Sequence, residues 1–357
     1  MNTDLAVEDR EVFACGPTIV TMGDVIRAAD FRGELRPSWE QVLAFAEEEP
    51  SQPEPDQAEL QARSEQYRIN HDLISAEETE RWLEERGLTT EDFNSFLVRQ
   101  WRRDAAAGEP HEHQTIDYAF APPNLRELLR VDLLFGGAFD GLARRLAWRF
   151  AAREASDETP LDEAIRAERE GFCERFGLSV ATLPAWLAGL GSNHTWLDEM
   201  LELEAIFRRQ VATQLTSHAR ERMTRSLRIS LTRFELELIE LDCRDAAREA
   251  LECVSLDGES MEDVAGDAGF PFWRLTVLHD ELPEKLRRML LCALPGEILP
   301  PLESDGGFRL YRLLGKAECD LTDDAMRRRI DAEIVERHFS DLTTRFVRWI
   351  LPPVHVL

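Results

Sequence analysis

Side chains able to hold a metal or attack a substrate are few in this sequence, and they are scattered. His111-Glu112-His113 has the residue types of a zinc site, but in an extended segment its ligands alternate sides and no helix-spaced partner accompanies them. A plain linker pair is the favoured reading. The six cysteines (Cys15, Cys173, Cys243, Cys253, Cys292 and Cys319) form no C-x-x-C and no finger spacing, so reduced, mostly buried thiols are expected. His71 and His194 lack a Ser or Cys partner that spacing would identify as a nucleophile. Neither a Gly-rich nucleotide loop nor an H-E-x-x-H helix is present. The expectation is no metal, no cofactor and no catalytic residue, which leaves binding chemistry.

Composition bounds what could be bound. The chain has 357 residues, 42 basic against 69 acidic, and a formal charge of −27. With 43% hydrophobic and 31% charged residues it belongs with globular rather than disordered or membrane-spanning chains. Nucleic acid is excluded as a partner, because affinity there comes from neutralising phosphates with Lys and Arg. Anionic membrane surfaces are disfavoured for the same reason. A basic or apolar polypeptide remains allowed. No run reaches the roughly 18 apolar residues that span a bilayer. The start, Met1 to Asp9, is acidic without an apolar h-region, so no secretory signal and a cytoplasmic location are expected. Acidic runs such as Glu47-Glu48-Glu49 read as solvated surface.

The elements that must position a binding surface are mostly helices. Ser75-Ala76-Glu77-Glu78 has the form of a capping box, and the helix it opens carries Trp82 and Leu83 and stops at Gly87. Thr89-Thr90-Glu91-Asp92 opens the next, with Phe93, Phe96, Leu97 and Trp101 at helical spacing. This pair recurs: Arg68 to Leu83 is echoed by Arg169 to Leu187, the Trp-Leu pairs lying 104 residues apart. A weaker echo sets Phe31-Arg32-Gly33 against Phe139-Asp140-Gly141. The reading is two related helical modules, 18–104 and 126–212, joined by a Pro/Gly-containing linker, 105–125. Their Trp and Phe residues are read as module core. Past residue 230 the period changes: Phe234-Glu235-Leu236-Glu237-Leu238 alternates like a half-buried strand. A helix over 245–253, another over 282–291 ended by Pro295-Gly296, and a strand over 307–314 follow. The fold class is therefore mainly α with a small α+β domain at 228–318. A C-terminal helix over 319–351, bearing Met326 through Trp349, packs on the helical part.

The order of these pieces resembles the parvulin-type prolyl isomerases. The residues that carry the likeness are Gly258, Met261, Val264 and Ala265, then Pro295-Gly296-Glu297-Ile298, then Gly307-Phe308-Arg309-Leu310-Tyr311-Arg312. The helical modules are similar to the N-terminal region of SurA-like chaperones through Ile74-Ser75-Ala76-Glu77-Glu78 and Trp82-Leu83. A closer likeness, through Val347-Arg348-Trp349, is to parvulin-related proteins of bacterial peptide-maturation systems.

Departures from that family shape the functional expectation. Active members carry a histidine on the first and on the last strand. Here Leu238 takes the first place and Arg309 the second, and the Gly-Gly-Asp-Leu-Gly stretch is replaced by Gly266 to Trp273. The resemblance implies a proline pocket at Leu282 and Leu286, with Phe272, Trp273 and Met289 extending its wall and Arg309 able to hold a peptide carbonyl or carboxylate. Leu282, Leu286 and Met289 read equally well as plain helix core, and Arg309 as a solvated arginine. Three functions stand open. The first is a non-catalytic chaperone or escort that holds a precursor peptide in a maturation or export system. The others are an active prolyl isomerase with a rebuilt site, and a structural subunit docking onto a peptide-modifying enzyme or exporter.

Overall fold

Residues 7–46, 55–105, 118–157, 159–304, 306–318 and 320–353 are described by a computed structural model. Expectations for His111-Glu112-His113, Glu47-Glu48-Glu49, Cys319 and most of the 105–125 linker fall outside them.

The first elements are β1 (Glu11–Cys15), β2 (Thr18–Thr21), α1 (Met22–Phe31), α2 (Arg36–Ala46), α3 (Gln57–Asn70), α4 (Ala76–Arg86) and α5 (Thr90–Ala105). Next come α6 (Pro123–Phe135), α7 (Ala138–Glu154), α8 (Asp162–Phe176), α9 (Leu183–Gly189), α10 (His194–Gln214) and α11 (Ser217–Ser226). The remainder is β3 (Arg233–Leu241), α12 (Arg244–Glu252), α13 (Met261–Ala268), β4 (Phe272–Leu278), α14 (Glu284–Cys292), β5 (Leu302–Ser304), β6 (Gly307–Ala317), α15 (Asp324–Phe346) and β7 (Val347–Trp349). The class is mainly α with a small α+β part. The chain divides into two compact units, Met1–Thr213 with Arg337–Leu357, and Gln214–Glu336.

Helix boundaries in the first unit follow local chemistry. Ser75 Oγ accepts from Glu78 N at 3.1 Å, while Ser75 N donates to Glu78 Oε2 at 2.8 Å. Gly87 ends α4 at φ 64°, a left-handed conformation that suits glycine. Thr89 Oγ1 caps α5 by accepting from Asp92 N at 3.1 Å. One apolar core runs through the unit, from Val12 and Phe13 to Trp186, Leu201 and Leu351.

Two findings depart from the sequence-based expectations. Helix α15 stops at Phe346, and Val347–Trp349 becomes a strand instead of a last helical turn. It pairs antiparallel with β1, Phe13 opposite Trp349, in a sheet of order β2-β1-β7. Phe13 is fully buried with its ring 5.4 Å from Trp349, so the burial of that aromatic pair overrides helical continuation. The second finding is the register of the repeat. Phe31 corresponds to Phe135, not Phe139. At this same spacing of 104, Gly33 (φ 72°) matches Gly137 (φ 73°), Gly87 (φ 64°) matches Gly191 (φ 65°), and the cap Thr89 matches the cap Asn193.

The two copies exchange aromatic residues. Phe135 of α6 lies among Tyr67, Trp82, Phe93 and Phe96, with ring centroids 5.1 to 6.0 Å away. Phe31 of α1 stacks on Phe172 at 4.9 Å and meets Trp196 at 6.1 Å. Tyr67 Oη donates to Phe135 O at 3.1 Å, and burial pushes the Tyr67 phenol well above its ordinary value. Between α5 and α6, Asp132 accepts from Arg99 at 2.6 and 3.0 Å and from Arg103 at 3.1 Å.

The second unit is built on a four-stranded antiparallel sheet of order β4-β3-β6-β5. The alternation seen at Phe234 to Leu238 is the central strand β3, flanked by β4 and β6 in register from Arg233 to Ile239 and beyond. β4 occupies part of the stretch that sequence alone left without an element. Met326, Ile330 and Ile334 of α15 pack with Leu231 in a separate small cluster.

Candidate functional site

Because side chains alternate along a strand, β3 sorts the candidate residues onto two faces. Phe234, Leu236, Leu238 and Glu240 share one face. On β4 Phe234, Leu236 and Leu238 face Val277, Leu275 and Trp273, and on β6 Leu236, Leu238 and Glu240 face Leu313, Tyr311 and Arg309. Helix α14 covers this face: Leu286 and Leu290 pack with Phe234, Leu236 and Leu238, with half-buried Leu282 and Met289 alongside. On the other face Ile239, Leu241 and Leu310 pack with Ala247 and Ala250 of α12 and Met261, Val264 and Ala265 of α13.

The six sequence-derived residues are thereby divided. Leu282, Leu286 and Met289 come together, but Leu286 is 3% exposed and belongs to the core. Trp273 stands on the α14 face, directly opposite Leu238 in register, and is 40% exposed. Phe272, one residue earlier, turns to the other face and joins the α12–α13 core, so it does not meet the rest. Arg309 sits at the same end of β3 as Trp273, its Nε and Nη2 donating to Glu240 Oε1 at 2.8 and 2.7 Å. Tyr311, two residues from Arg309 on β6, faces Leu238 from the side opposite Trp273; burial raises its phenol despite the neighbouring Arg309 charge.

Among the described residues, this end of the sheet holds no imidazole. Leu238 is 6% exposed and Tyr311 7%, so the positions central to the face are apolar or capped by a phenol. His279 lies near the start of β3 instead, its ring 6.2 Å from Phe234. No thiol substitutes in the other unit's sheet: burial, with the charge of Glu154, pushes the Cys15 thiol up to about 11, far from thiolate chemistry at neutral pH. Among the described residues no cluster of His, Cys, Asp and Glu could hold a metal ion, and no helix is long and apolar enough to cross a membrane.

What the arrangement offers is a surface for main chain. β4 is the outer strand of its sheet, and no strand pairs along its other side among the described residues. An edge of this kind can accept an extended segment as a further strand. Sequence reasoning missed two further features. One is Glu240, whose partner Arg309 is 69 positions away and is recognisable only from register. The other is a cavity of about 330 Å3 between β3, α12 and α13, walled by Ile239, Leu241, Ala250, Val264 and Phe270 and rimmed by Glu249, Glu259 and Asp267. Its one sequence signal was the Met261, Val264, Ala265 stripe.

No family model matches the chain, and no curated protein does. Among solved structures it is similar to the peptidylprolyl isomerase PrsA from Bacillus cereus, at 12% identity over 67% of this chain and 89% of that one, with a TM-score of 0.37. It is also similar to the foldase protein PrsA from Streptococcus pneumoniae (11% identity, 65% and 86% covered, TM-score 0.25). A SurA-like chaperone from Campylobacter jejuni matches at 8% identity, with 60% and 88% covered and a TM-score of 0.21. TM-scores this low make the likenesses loose, and the functional reading rests on the chain's own residues.

Proposed function

We propose that this chain is a parvulin-related binding protein that holds extended polypeptide without catalysing prolyl isomerisation. The observation that carries the proposal is the end of the sheet where buried Leu238 faces Tyr311 and Arg309 is held by Glu240, Leu238 and Arg309 being the two places where the resemblance puts the family's histidines. Rotation about a peptide bond has a barrier of about 18–20 kcal/mol. Lowering it requires a site that grips the twisted amide more tightly than the planar one. A buried leucine supplies neither a donor nor a directed dipole, and Arg309 is already engaged by Glu240. Binding needs less. The free edge of β4 offers main-chain hydrogen bonds, Trp273 offers an exposed indole, and the acidic surface favours basic or neutral segments.

The finer parts of the proposal are that the client is a precursor peptide awaiting modification or export, and that helical modules 18–104 and 126–212 help clasp it. A peptide-modifying enzyme or an exporter is the further partner. A cytoplasmic location belongs to the same proposal and is supported by the free thiols of Cys15, Cys173, Cys243, Cys253 and Cys292. A second reading, a rebuilt isomerase site, is favoured by the 43% exposure of the Arg309 side chain beside Tyr311.

Fluorescent extended peptides with and without proline test both. Binding that weakens roughly tenfold, about 1.4 kcal/mol, in Trp273→Ala, with no acceleration of a proline-limited refolding reaction, is the expected result. Acceleration abolished by Arg309→Ala would replace the proposal by the second reading. No binding of any extended peptide would overturn both.

A further inference from the structure

The helical unit encloses a cavity of about 140 Å3 whose wall is mostly charge. Phe31 and Phe172, stacked at 4.9 Å, form its apolar side. Around them stand Arg32, Arg149, Arg175 and Arg208 with Glu34, Glu168 and Glu204, four guanidinium groups against three carboxylates. The Arg32 side chain is only 6% exposed; it pairs with Glu34 at 2.9 Å, yet its Nε has no hydrogen-bond partner. Arg149 is tied to Glu204 and donates through Nη1 to Arg145 O at 2.8 Å. Burial, and then repulsion from Arg32, hold the Arg149 guanidinium below its ordinary value. Two desolvated cations thus repel each other at the wall of a cavity that has one positive charge in excess. Such a wall is stabilised by an anion placed within reach of both.

The duplicated architecture shows that the fold does not demand these charges. At the spacing of 104, the places of Arg32, Glu34 and Glu204 are taken by Gly136, Ala138 and Gln100. Along α3 the spacing is 105, since Asp72 (φ 54°) makes the left-handed turn that Gly177 (φ 61°) makes after α8. That offset matches Tyr67 to Phe172 and puts Asn70 in the place of Arg175. Around Phe135 the first copy closes with the rings of Tyr67, Trp82, Phe93 and Phe96, with buried Arg86 over the Trp82 ring and Arg103 beside Phe96. Only the outermost pair recurs, with its signs exchanged: Arg63–Asp104 at 2.7 Å against Glu168–Arg208 at 2.9 Å. Arg32, Glu34, Arg175 and Glu204 are charges that the other copy lacks at the matching positions.

We propose that this cavity binds a carboxylate bearing a short apolar group, its oxygens held by Arg32 and Arg208 and its apolar part lying against Phe31 and Phe172. A single excess positive charge and a small volume suit a monoanion rather than a phosphate dianion. The carboxylate can belong to a free small acid or to the last residue of a peptide. The Arg208 side chain is 61% exposed and marks the mouth, where it holds Glu168. Held at 2.9 Å by this exposed guanidinium, Glu168 is the partner a ligand displaces; burial pushes its carboxyl above its ordinary value in spite of Arg208.

Calorimetric titration of the full chain tests this with N-acetyl-leucine, N-acetyl-leucinamide, a hexapeptide ending in free leucine, its amidated form, and inorganic phosphate. At least one free carboxylate should bind, its amide at least tenfold more weakly. Arg208→Gln should weaken binding at least tenfold with an unchanged melting temperature. Glu168→Gln should tighten it several-fold, an effect that a purely structural ion pair would not produce. Binding of the peptide alone assigns a chain terminus, and binding of the acid alone assigns a small acid. Equal affinity for acid and amide, phosphate binding without carboxylate binding, or weaker binding in Glu168→Gln would each overturn the proposal.

Discussion

Replacing Leu286 by alanine separates a core residue from a groove wall. Leu286 is 3% exposed and touches a cluster in which Phe234, Leu236, Leu290 and Leu313 are each at 1% or below. The neighbours come from β3, β6 and α14, and the strands are held in register by their ladders, so they cannot collapse into the space left behind. A buried Leu→Ala change costs about 2–5 kcal/mol, the sum of lost transfer energy and residual cavity. Full burial places this site at roughly 3–4 kcal/mol on that scale. A domain has about 5–15 kcal/mol in total, so a large part of the unit's stability is removed. With a urea dependence of about 1–3 kcal/mol per molar, the midpoint should fall by roughly 2 M. Amide hydrogen exchange across a urea series, read on peptides from β3 and α14, isolates residues 214–336 from the rest of the chain. Peptide affinity measured below the transition should stay within about twofold of the parent, far less than the tenfold that 1.4 kcal/mol represents. An unchanged midpoint together with a tenfold loss of affinity would refute the reasoning and make Leu286 part of an open groove.

Other expectations follow from single contacts. Burial, then the charge of Arg86, depresses the His71 imidazole below its ordinary 6.5. The unfolded chain therefore takes up this proton first as pH falls, and the stability His71 contributes is present above about 6.5 and lost as pH drops through the depressed folded value. His71→Phe, the residue found at matching position 176, should flatten stability between about pH 7 and 5; an unaltered slope in urea midpoints against pH would count against it. A Cβ on Gly307 would stand 2.2 Å from Leu241 O, so Gly307→Ala must part β6 from β3 and should cost about 1–3 kcal/mol. Gly266 in α13 has open space around it, and Gly266→Ala should instead stabilise by about 0.5–1 kcal/mol. The same urea series distinguishes the two signs.

Much of the local architecture was readable because its causes are local. The Ser75–Glu78 box, the left-handed Gly87 and the Thr89 cap act across three or four residues, so residue types alone place them. Alternation over Phe234 to Leu238 likewise marks a strand whatever lies beside it, since period two is a property of the extended backbone. The candidate site was legible only in its parts. Leu282, Leu286 and Met289 show a helix stripe, but a stripe cannot state whether a sheet or a ligand covers it, and here β3 and β6 do.

Chain order and residue type dictate the helices, their caps and the central strand, because each depends on interactions between near neighbours. Long-range pairing chose the rest. Val347–Trp349 is extended because β1, more than 300 residues earlier, offers it a ladder and a buried phenylalanine. Phe272 and Trp273 part company because a pleated strand sends consecutive side chains to opposite faces, and Arg309 finds Glu240 through register alone. The charged cavity exists because α1, α7, α8 and α10 converge on Phe31, a meeting of distant segments held by burial of apolar surface, which is non-directional and leaves no short-range trace in the order of residues.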